Sequence, residues 1–161
     1  MCAKAYLKKN GKRDTILEEL HKLPSQFIIL KNKFLRLPYK VTHHKTSESI
    51  KSCHIDYVVI GPTGIFIIEA KDWEDELFSL KIPHIETDRA GLIVYILLHK
   101  HFTKYIPIYN IVATPQQLPV IRYNRVRQLT VWRLTTFIHG QEDQLSKSDI
   151  RKIKKVFMKR L

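Results

Sequence analysis

Three ionisable residues, Asp56, Glu69 and Lys71, interrupt two apolar runs at residues 54–60 and 65–71. The β-branched and aromatic residues of each run predict a strand, and the intervening GPTG predicts a tight turn, so the two runs form a hairpin. If the strands pair symmetrically about the middle of GPTG, Asp56 faces Glu69 and both side chains project from one face. Lys71 projects from that face too, because strand side chains alternate.

Two carboxylates that face each other in an apolar hairpin repel, and burying them unpaired costs still more. Lys71 offsets part of that cost, and a divalent cation offsets it better, because Mg²⁺ binds one or two carboxylates together with waters and phosphate oxygens. Such a cation polarises a phosphoryl group and lowers the pKa of a bound water. The three residues therefore indicate phosphodiester hydrolysis. From the residues alone, the alternative stays open that all three are solvated on an exposed sheet face.

The charge of the chain favours a polyanionic partner. The 28 Lys and Arg residues outnumber the 15 Asp and Glu residues and leave a formal charge of +13. Lysine and arginine contacts to phosphate supply most non-specific affinity for nucleic acid, which is the polyanion that such a surface meets most often. Membrane headgroups and acidic proteins are also compatible with the charge alone.

The cysteines and apolar segments favour a cytoplasmic protein without a membrane partner. Cys2 and Cys53 are the two cysteines, and they form no zinc or multiple-disulfide framework, which fits a reducing compartment. The N-terminus has positive charges but no apolar run of the kind that follows them in a secretory signal. The longest apolar stretch, GLIVYILL at 91–98, is too short to span a bilayer.

The rest of the sequence predicts the elements that surround the hairpin in one domain, residues 1–161. The first helix begins near Asp14, and the last begins at Ser146, which forms a capping box with Asp149. The polar stretch 38–52 predicts a mobile loop. The other expected elements are a strand near a sheet edge (27–37), a strand around LFSLKI followed by a turn at Pro83, a helix (87–101), an inner strand (106–113) and one or two strands within 119–134.

Two basic segments are candidates for contacting a nucleic-acid backbone. On the second of them, the C-terminal helix, Lys152 and Lys155 lie on the basic side. For both segments the alternative is a solvated face of a sheet or a helix. The first segment interleaves arginines, which could track phosphates, with aromatic residues, which could stack on bases: Arg122, Arg125, Arg127, Tyr123 and Trp132.

The histidines and Cys53 offer weaker candidates. The eight histidines have no zinc-like spacing, so most are expected to be solvated, and His54 is the one that could touch the site beside Asp56. Cys53 is expected to be a small buried residue rather than a nucleophile, because no activating histidine and oriented acid can be identified.

The continuous run of residues 55–73, IDYVVIGPTGIFIIEAKDW, resembles the core signature of the NERD (nuclease-related) domain, which is itself similar to the PD-(D/E)xK nucleases. The resemblance implies an α/β fold with a restriction-endonuclease-like core, in which helices flank a central mixed β-sheet. It also implies a metal, Mg²⁺ or Mn²⁺, held by Asp56, Glu69 and the backbone carbonyl of Ala70, with Lys71 placing the attacking water.

The resemblance is less close around this core. The family carries an acidic residue on its first helix, for which Asp14 is the nearest match and Glu18 the alternative, and without the family Asp14 is better interpreted as a helix cap. The family's glycine after the tryptophan is replaced within residues 74–76. The expected Asn-Pro-x-x-Gln segment is not matched by residues 87–91.

These features lead to one main hypothesis and two alternatives. The main hypothesis is a metal-dependent deoxyribonuclease that acts on DNA rather than RNA, for which a homodimer is one way to cut both strands. The first alternative is a DNA- or RNA-binding module of the same fold with little or no catalysis. The second is a basic interaction protein that does not bind nucleic acid.

Overall fold

The computed structural model describes residues 15–70, 81–115 and 120–159 of the chain. Its five strands form one sheet in the order β1-β2-β3-β4-β5. The elements follow one another as α1 (15–20), β1 (Ile28–His43), β2 (Glu48–Gly61), β3 (Gly64–Ala70), α2 (Lys81–His99), β4 (Ile108–Thr114), β5 (Val126–Thr130), a 3₁₀ turn (Val131–Arg133), α3 (Leu134–His139) and α4 (Lys147–Met158).

The sheet is mixed. The first three strands pair antiparallel, whereas β3 with β4 and β4 with β5 pair parallel. The change occurs where α2 connects β3 to β4, because a parallel neighbour needs a crossover that returns the chain to the same end of the sheet. β4 is therefore an inner strand and β1 an edge strand, as predicted.

Helices cover both faces of this sheet. One face, which we call the α2 face, packs against α2 and α4, and the other, the α1 face, packs against α1 and α3. All seven residues of β3 are buried, as expected for a strand covered on both sides. This arrangement confirms the predicted α/β fold with a central mixed sheet flanked by helices. Buried helix residues that form the two layers include Ile93, Val94, Ile153 and Phe157 on the α2 face, and Ile16, Leu20, Leu134 and Ile138 on the α1 face.

The helices begin at recognisable signals. The predicted capping box of α4 is present: the Asp149 N–H donates to Ser146 Oγ at 3.1 Å and the Ser146 N–H donates to Asp149 Oδ2 at 2.9 Å. The predicted turn at Pro83 is wrong, because Pro83 lies in the first described turn of α2, where a proline's missing N–H costs little.

Among the helices within the described ranges, none combines the length and apolar character needed to cross a bilayer.

The predicted mobile loop at 38–52 is also wrong. β1 continues to His43 and β2 begins at Glu48, so most of this stretch belongs to a long hairpin, whose residues 33–55 we call the arm. Ile50 is buried although its neighbours in sequence are polar. The polar composition therefore reflects one solvated side of a strand pair rather than a loop.

The tip of the arm is fixed on α2 by buried polar contacts. His43 is 2% exposed, and its Nε2 lies 2.6 Å from Asp88 Oδ2. Arg89 forms an ion pair with Glu48 beside it. No local sequence signal predicts the contact between His43 and Asp88, because the two residues are 45 positions apart. His43 is therefore an exception to the expectation that most of the histidines are solvated.

At Asn32 and Asp56, the side chains of β1 and β2 that lie on the α2 face change between even and odd residue numbers. The two strands nevertheless pair in the same register on both sides of this point. Asn32 has a φ of 52°, which lies in the left-handed region that asparagine tolerates better than most residues. We attribute the turn of the arm toward α2 to this kink. Residues on both sides of it contribute to the α2 face: Leu30, Val58 and Ile60 on one side, and Leu35, Cys53 and Ile55 on the other.

Two further predictions concern residues 119–134 and the segment before α2. Residues 120–134 contain a single strand, β5, followed by the 3₁₀ turn and by α3, which was not predicted. The i, i+4 spacing of Leu134 and Ile138, both buried, is the signal for that short helix. Most of the predicted strand around LFSLKI lies outside the described residues, and Lys81 and Ile82 begin α2.

The left-handed conformation of Asn32 makes a prediction about stability. We expect Asn32→Val to be less stable than Asn32→Gly by about 1–2 kcal/mol, because a side chain with a branched Cβ is strained at positive φ and glycine is not. Asn32 is exposed, so neither change opens a cavity. Free energies of unfolding from urea titrations give the comparison. An ordinary strand position would show the opposite order, with valine the more stable.

Candidate active site

β2 and β3 pair in the register that a symmetric turn predicts. Five residue pairs join them, from Tyr57 opposite Ile68 down to the turn. Continued by one residue, this register places Asp56 opposite Glu69. Side chains directly opposite in an antiparallel pair project from the same face, with Cβ atoms about 4.5–5.5 Å apart.

The turn that sets this register is anchored on both sides. Gly64 has a φ of 140°, which favours glycine, and a Cβ on Gly61 would come within 2.1 Å of the Phe27 ring. Thr63 Oγ1 donates to the Ile138 carbonyl at 2.8 Å. The carbonyl of the turn's proline accepts two backbone N–H bonds from the segment before α4. A slip of one residue would break these contacts and move the carboxylates apart.

Asp56 is enclosed by the protein. The residue is 1% exposed and its carboxylate is completely buried. The backbone N–H of Ala70, the last residue of β3, donates to Asp56 Oδ2 at 2.9 Å. His54 Nδ1 lies 3.8 Å from Asp56 Oδ1, so the histidine next to this aspartate does reach it.

Glu69 is buried beside it, with 8% of its surface exposed. The face of β3 that carries Glu69 continues toward the turn as an apolar layer. Their burial excludes an exposed position on the sheet for both Asp56 and Glu69. Two buried carboxylates in one apolar layer need compensating positive charge or hydrogen bonds. The apolar residues of this layer nearest the pair are Val58, Ile60, Ile65 and Ile67.

The oxygens of this pair suit a hard divalent cation. Mg²⁺ and Mn²⁺ prefer carboxylate, carbonyl and water ligands over nitrogen or sulfur. Within residues 15–70, 81–115 and 120–159, no three side chains of His, Cys, Asp or Glu form a cluster that could hold a metal. A cation bound by Asp56 and Glu69 would therefore complete its shell with backbone carbonyl, water or phosphate oxygens.

Two of the predicted catalytic residues, Lys71 and Asp14, lie outside the described residues. Glu18, the alternative acid on the first helix, is exposed on α1, which packs on the α1 face of the sheet. Its neighbour Glu19, which the sequence did not single out, is buried. It accepts a hydrogen bond from Thr135 Oγ1 at 2.8 Å and so joins α1 to the start of α3.

The structure brings the three predicted arginines together. Arg122, Arg125 and Arg127 line one side of an open groove between α2, β4 and β5. Neither Asp56 nor Glu69 lines this groove, so the groove is separate from the buried carboxylates. We regard the carboxylates as the candidate for chemistry, because size alone gives a groove no reactive group.

The aromatic residues near these arginines differ from the expectation. Lys45 Nζ lies 4.3 Å from the centroid of the Tyr123 ring, so that ring is covered. Trp132 is 59% exposed, but it is not part of the groove lining. Tyr95 and Tyr105, which the sequence did not single out, are the exposed aromatic residues within the groove.

Lys152 and Lys155 lie elsewhere, exposed on α4. This helix begins next to the β2–β3 turn, and near its other end the Lys33 ammonium lies 3.3 Å from Met158 Sδ. Lys33 pairs with Ile55, the residue before Asp56. The basic helix thus runs along the sheet from the turn to the level of the carboxylates.

Cys53 is close enough to Glu69 for their charges to interact. Burial raises the pKa of the Cys53 thiol to about 12, a hydrogen bond with the Leu35 backbone opposes this, and the negative charge of Glu69 adds to it. Such a thiol is almost entirely protonated at neutral pH, so it is a poor nucleophile, as the sequence suggested.

This raised pKa is testable by alkylation. In a Cys2→Ser background at pH 8, we expect Cys53 to react with iodoacetamide on the order of 10³-fold more slowly than an unperturbed thiol, because so little thiolate is present. Glu69→Gln should raise the rate, since the neighbouring negative charge is gone. Mass spectrometry of the intact protein measures both rates. Equal rates with and without the Glu69 charge would contradict the proximity of the two groups.

A comparison with family models connects this geometry to known proteins. A model of NERD, the nuclease-related domain, matches residues 8–115. That range holds the whole β2–β3 hairpin, and it covers about two thirds of the 161-residue chain. No curated protein and no solved structure matches the chain. The family resemblance of residues 55–73 is thereby confirmed, and the chain belongs to the NERD family of nuclease-related domains.

Proposed function

We propose that this domain is a metal-dependent nuclease that hydrolyses phosphodiester bonds of DNA. The observation that carries the proposal is the burial of two carboxylates, Asp56 and Glu69, on the two strands of one anchored hairpin, each one residue beyond the last pair that joins the strands. A protein that only needed a stable sheet would gain nothing from placing two like charges there. Membership of a nuclease-related family agrees with this interpretation.

In this proposal each residue of the hairpin has a defined part. Asp56, Glu69 and the carbonyl of Ala70 hold Mg²⁺ or Mn²⁺, which when bound polarises the phosphoryl group and supplies a water of lowered pKa. The Ala70 N–H fixes the Asp56 carboxylate in place through Oδ2. Lys71 orients the attacking water, and Asp14 adds a further acidic group from the first helix.

The basic surface is the means by which the domain holds its substrate. The formal charge of +13 attracts phosphate, and α4 presents Lys152 and Lys155 along a line that ends at the level of the carboxylates. DNA is the proposed substrate in preference to RNA, the cytoplasm is the proposed location, and two chains would act together where both strands of a duplex are cut.

The second candidate function is a nucleic-acid-binding module with the same fold but without cleavage. One observation favours it: in the segment of α2 where the family's Asn-Pro-x-x-Gln is missing, Asp88 and Arg89 are engaged by the arm. The two functions differ in turnover but not in binding.

Cleavage assays distinguish the two functions. With plasmid and linear DNA in Mg²⁺ or Mn²⁺, we expect Glu69→Gln and Lys71→Ala each to lose on the order of 10²–10³-fold in rate, because the ligand of the cation or the group that orients the water is removed. Glu142→Gln is the matched control, since Glu142 is exposed in the segment before α4 and near the opposite end of the hairpin. Wild type that binds DNA without cutting it would refute the nuclease and leave the binding module.

Metal binding has a separate readout in thermal stability. A ligand that binds only the folded state raises the melting temperature, so millimolar Mg²⁺ or Mn²⁺ should stabilise the wild type without any DNA present. Glu69→Gln should abolish this dependence on metal, and Glu142→Gln should retain it. A metal-dependent shift of equal size in Glu69→Gln would show that the cation binds somewhere other than this pair.

A further inference from the structure

The groove between α2, β4 and β5 is separate from the candidate active site and has its own chemistry. It has a volume of about 1290 Å³. We propose that it binds a single-stranded segment of nucleic acid. This inference rests on the proposed function in taking nucleic acid as the ligand, but it requires no cleavage. Four arginines and two exposed tyrosines in its lining carry the argument: Arg122, Arg125, Arg127, Arg133, Tyr95 and Tyr105.

The charge of the groove fits a phosphate backbone. All four arginines are exposed. Among the described lining residues the carboxylate is that of Asp88, and it is already engaged: Lys45 Nζ lies 3.1 Å from Asp88 Oδ1 and His43 Nε2 lies 2.6 Å from Oδ2. The guanidinium groups therefore face solvent with their positive charge largely uncancelled, as in grooves that follow a phosphate chain.

The aromatic residues indicate single strands rather than duplex. Tyr105 is 73% exposed and Tyr95 is 53% exposed, so two large apolar rings in the groove are left in water. The Tyr95 ring also stacks on His99, with centroids 5.5 Å apart and an angle of 21° between the planes. Exposed rings of this kind stack on unpaired bases. Bases in a duplex are already stacked on each other and offer no free face.

The arginines are held in position before any ligand binds. Arg125 has a φ of 68°, a left-handed conformation that costs an arginine free energy and that glycine adopts without strain. Its carbonyl accepts a hydrogen bond from Asn110 Nδ2 at 3.2 Å, which fixes the turn against β4. The Arg127 guanidinium lies 4.8 Å from the centroid of the Phe137 ring. Retaining strain at an exposed arginine is explained if that arginine binds a ligand.

The groove adjoins the carboxylates through the sheet. Glu69 pairs with Val112, and Val112 pairs with Gln128, so the three residues form one row across neighbouring parallel strands. Two strand spacings separate Gln128 from Glu69, which is about 10 Å. Gln128 Oε1 accepts the Ile121 N–H, which joins this row to the segment that carries the arginines. A nucleic-acid strand bound in the groove would therefore lie beside the candidate active site.

Binding to labelled oligonucleotides tests the proposal without cleavage. EDTA removes divalent metal and so prevents cleavage. Under this condition, fluorescence anisotropy should show that the protein binds oligo-dT more tightly than a duplex of equal length. Tyr105→Ala and Tyr95→Ala should each weaken single-strand binding about tenfold, because a base loses its stacking partner, and should leave duplex binding unchanged. Phe34→Ala is the matched control, an aromatic residue that is 61% exposed on β1 outside the groove.

The arginines allow a second arm in which loss of folding cannot imitate loss of binding. Arg125→Gly should raise the melting temperature, because the strain at positive φ is relieved, while it weakens oligo-dT binding. Arg122→Gln should weaken binding and reduce its dependence on salt. Lys31→Gln, which removes an exposed positive charge on β1, should neither weaken binding nor reduce its dependence on salt.

The outcomes separate this proposal from the proposed nuclease. Oligo-dT binding that is unchanged in both tyrosine variants, or a preference for duplex, would overturn the groove whether or not the protein cuts DNA. Oligo-dT binding that depends on the tyrosines and on Arg125 supports the groove even if no metal restores cleavage, in which case the nuclease proposal alone fails.

Discussion

Two carboxylates, Asp56 and Glu69, are buried on the neighbouring strands of one hairpin, and the rest of the domain has to keep them there against their lost hydration. The covered, anchored hairpin does this by fixing the register. Its turn is bonded to α3 on one side and to the start of α4 on the other. Helices from both layers thus hold the turn.

The kink at Asn32 links this site to the shape of the surface. It lies beside Asp56 in the strand pairing, and beyond it the arm packs on α2. At the tip of the arm, Lys45 Nζ donates to the Asn124 carbonyl and lies over the Tyr123 ring. One side chain therefore joins the arm to the segment that carries the groove arginines. The β1–β2 hairpin, whose second strand carries Asp56, therefore also braces the wall of the groove through its turn.

The acidic and basic residues discussed above differ in how deeply they are buried. Its buried acidic residues include the carboxylate pair and Asp88, whereas the basic residues that could meet phosphate are exposed on α4 and around β5. Negative groups in the interior can bind a cation or fix a contact, and positive groups outside can attract a polyanion without desolvation. This arrangement suits a protein whose ligand carries negative charge.

Local rules in the sequence determined the hairpin, its register and the cap of α4, because turn residues, strand propensity and capping act between neighbours. They also predict that Asp56 faces Glu69, since a symmetric turn leaves one pairing. Tertiary structure alone decided that the polar stretch 38–52 is an arm, because its partner Asp88 is far away in sequence and gives no periodic signal. It also decided which aromatic residues are available, covering Tyr123 and leaving Tyr105 exposed, because exposure depends on what packs against a ring and not on its neighbours in the chain.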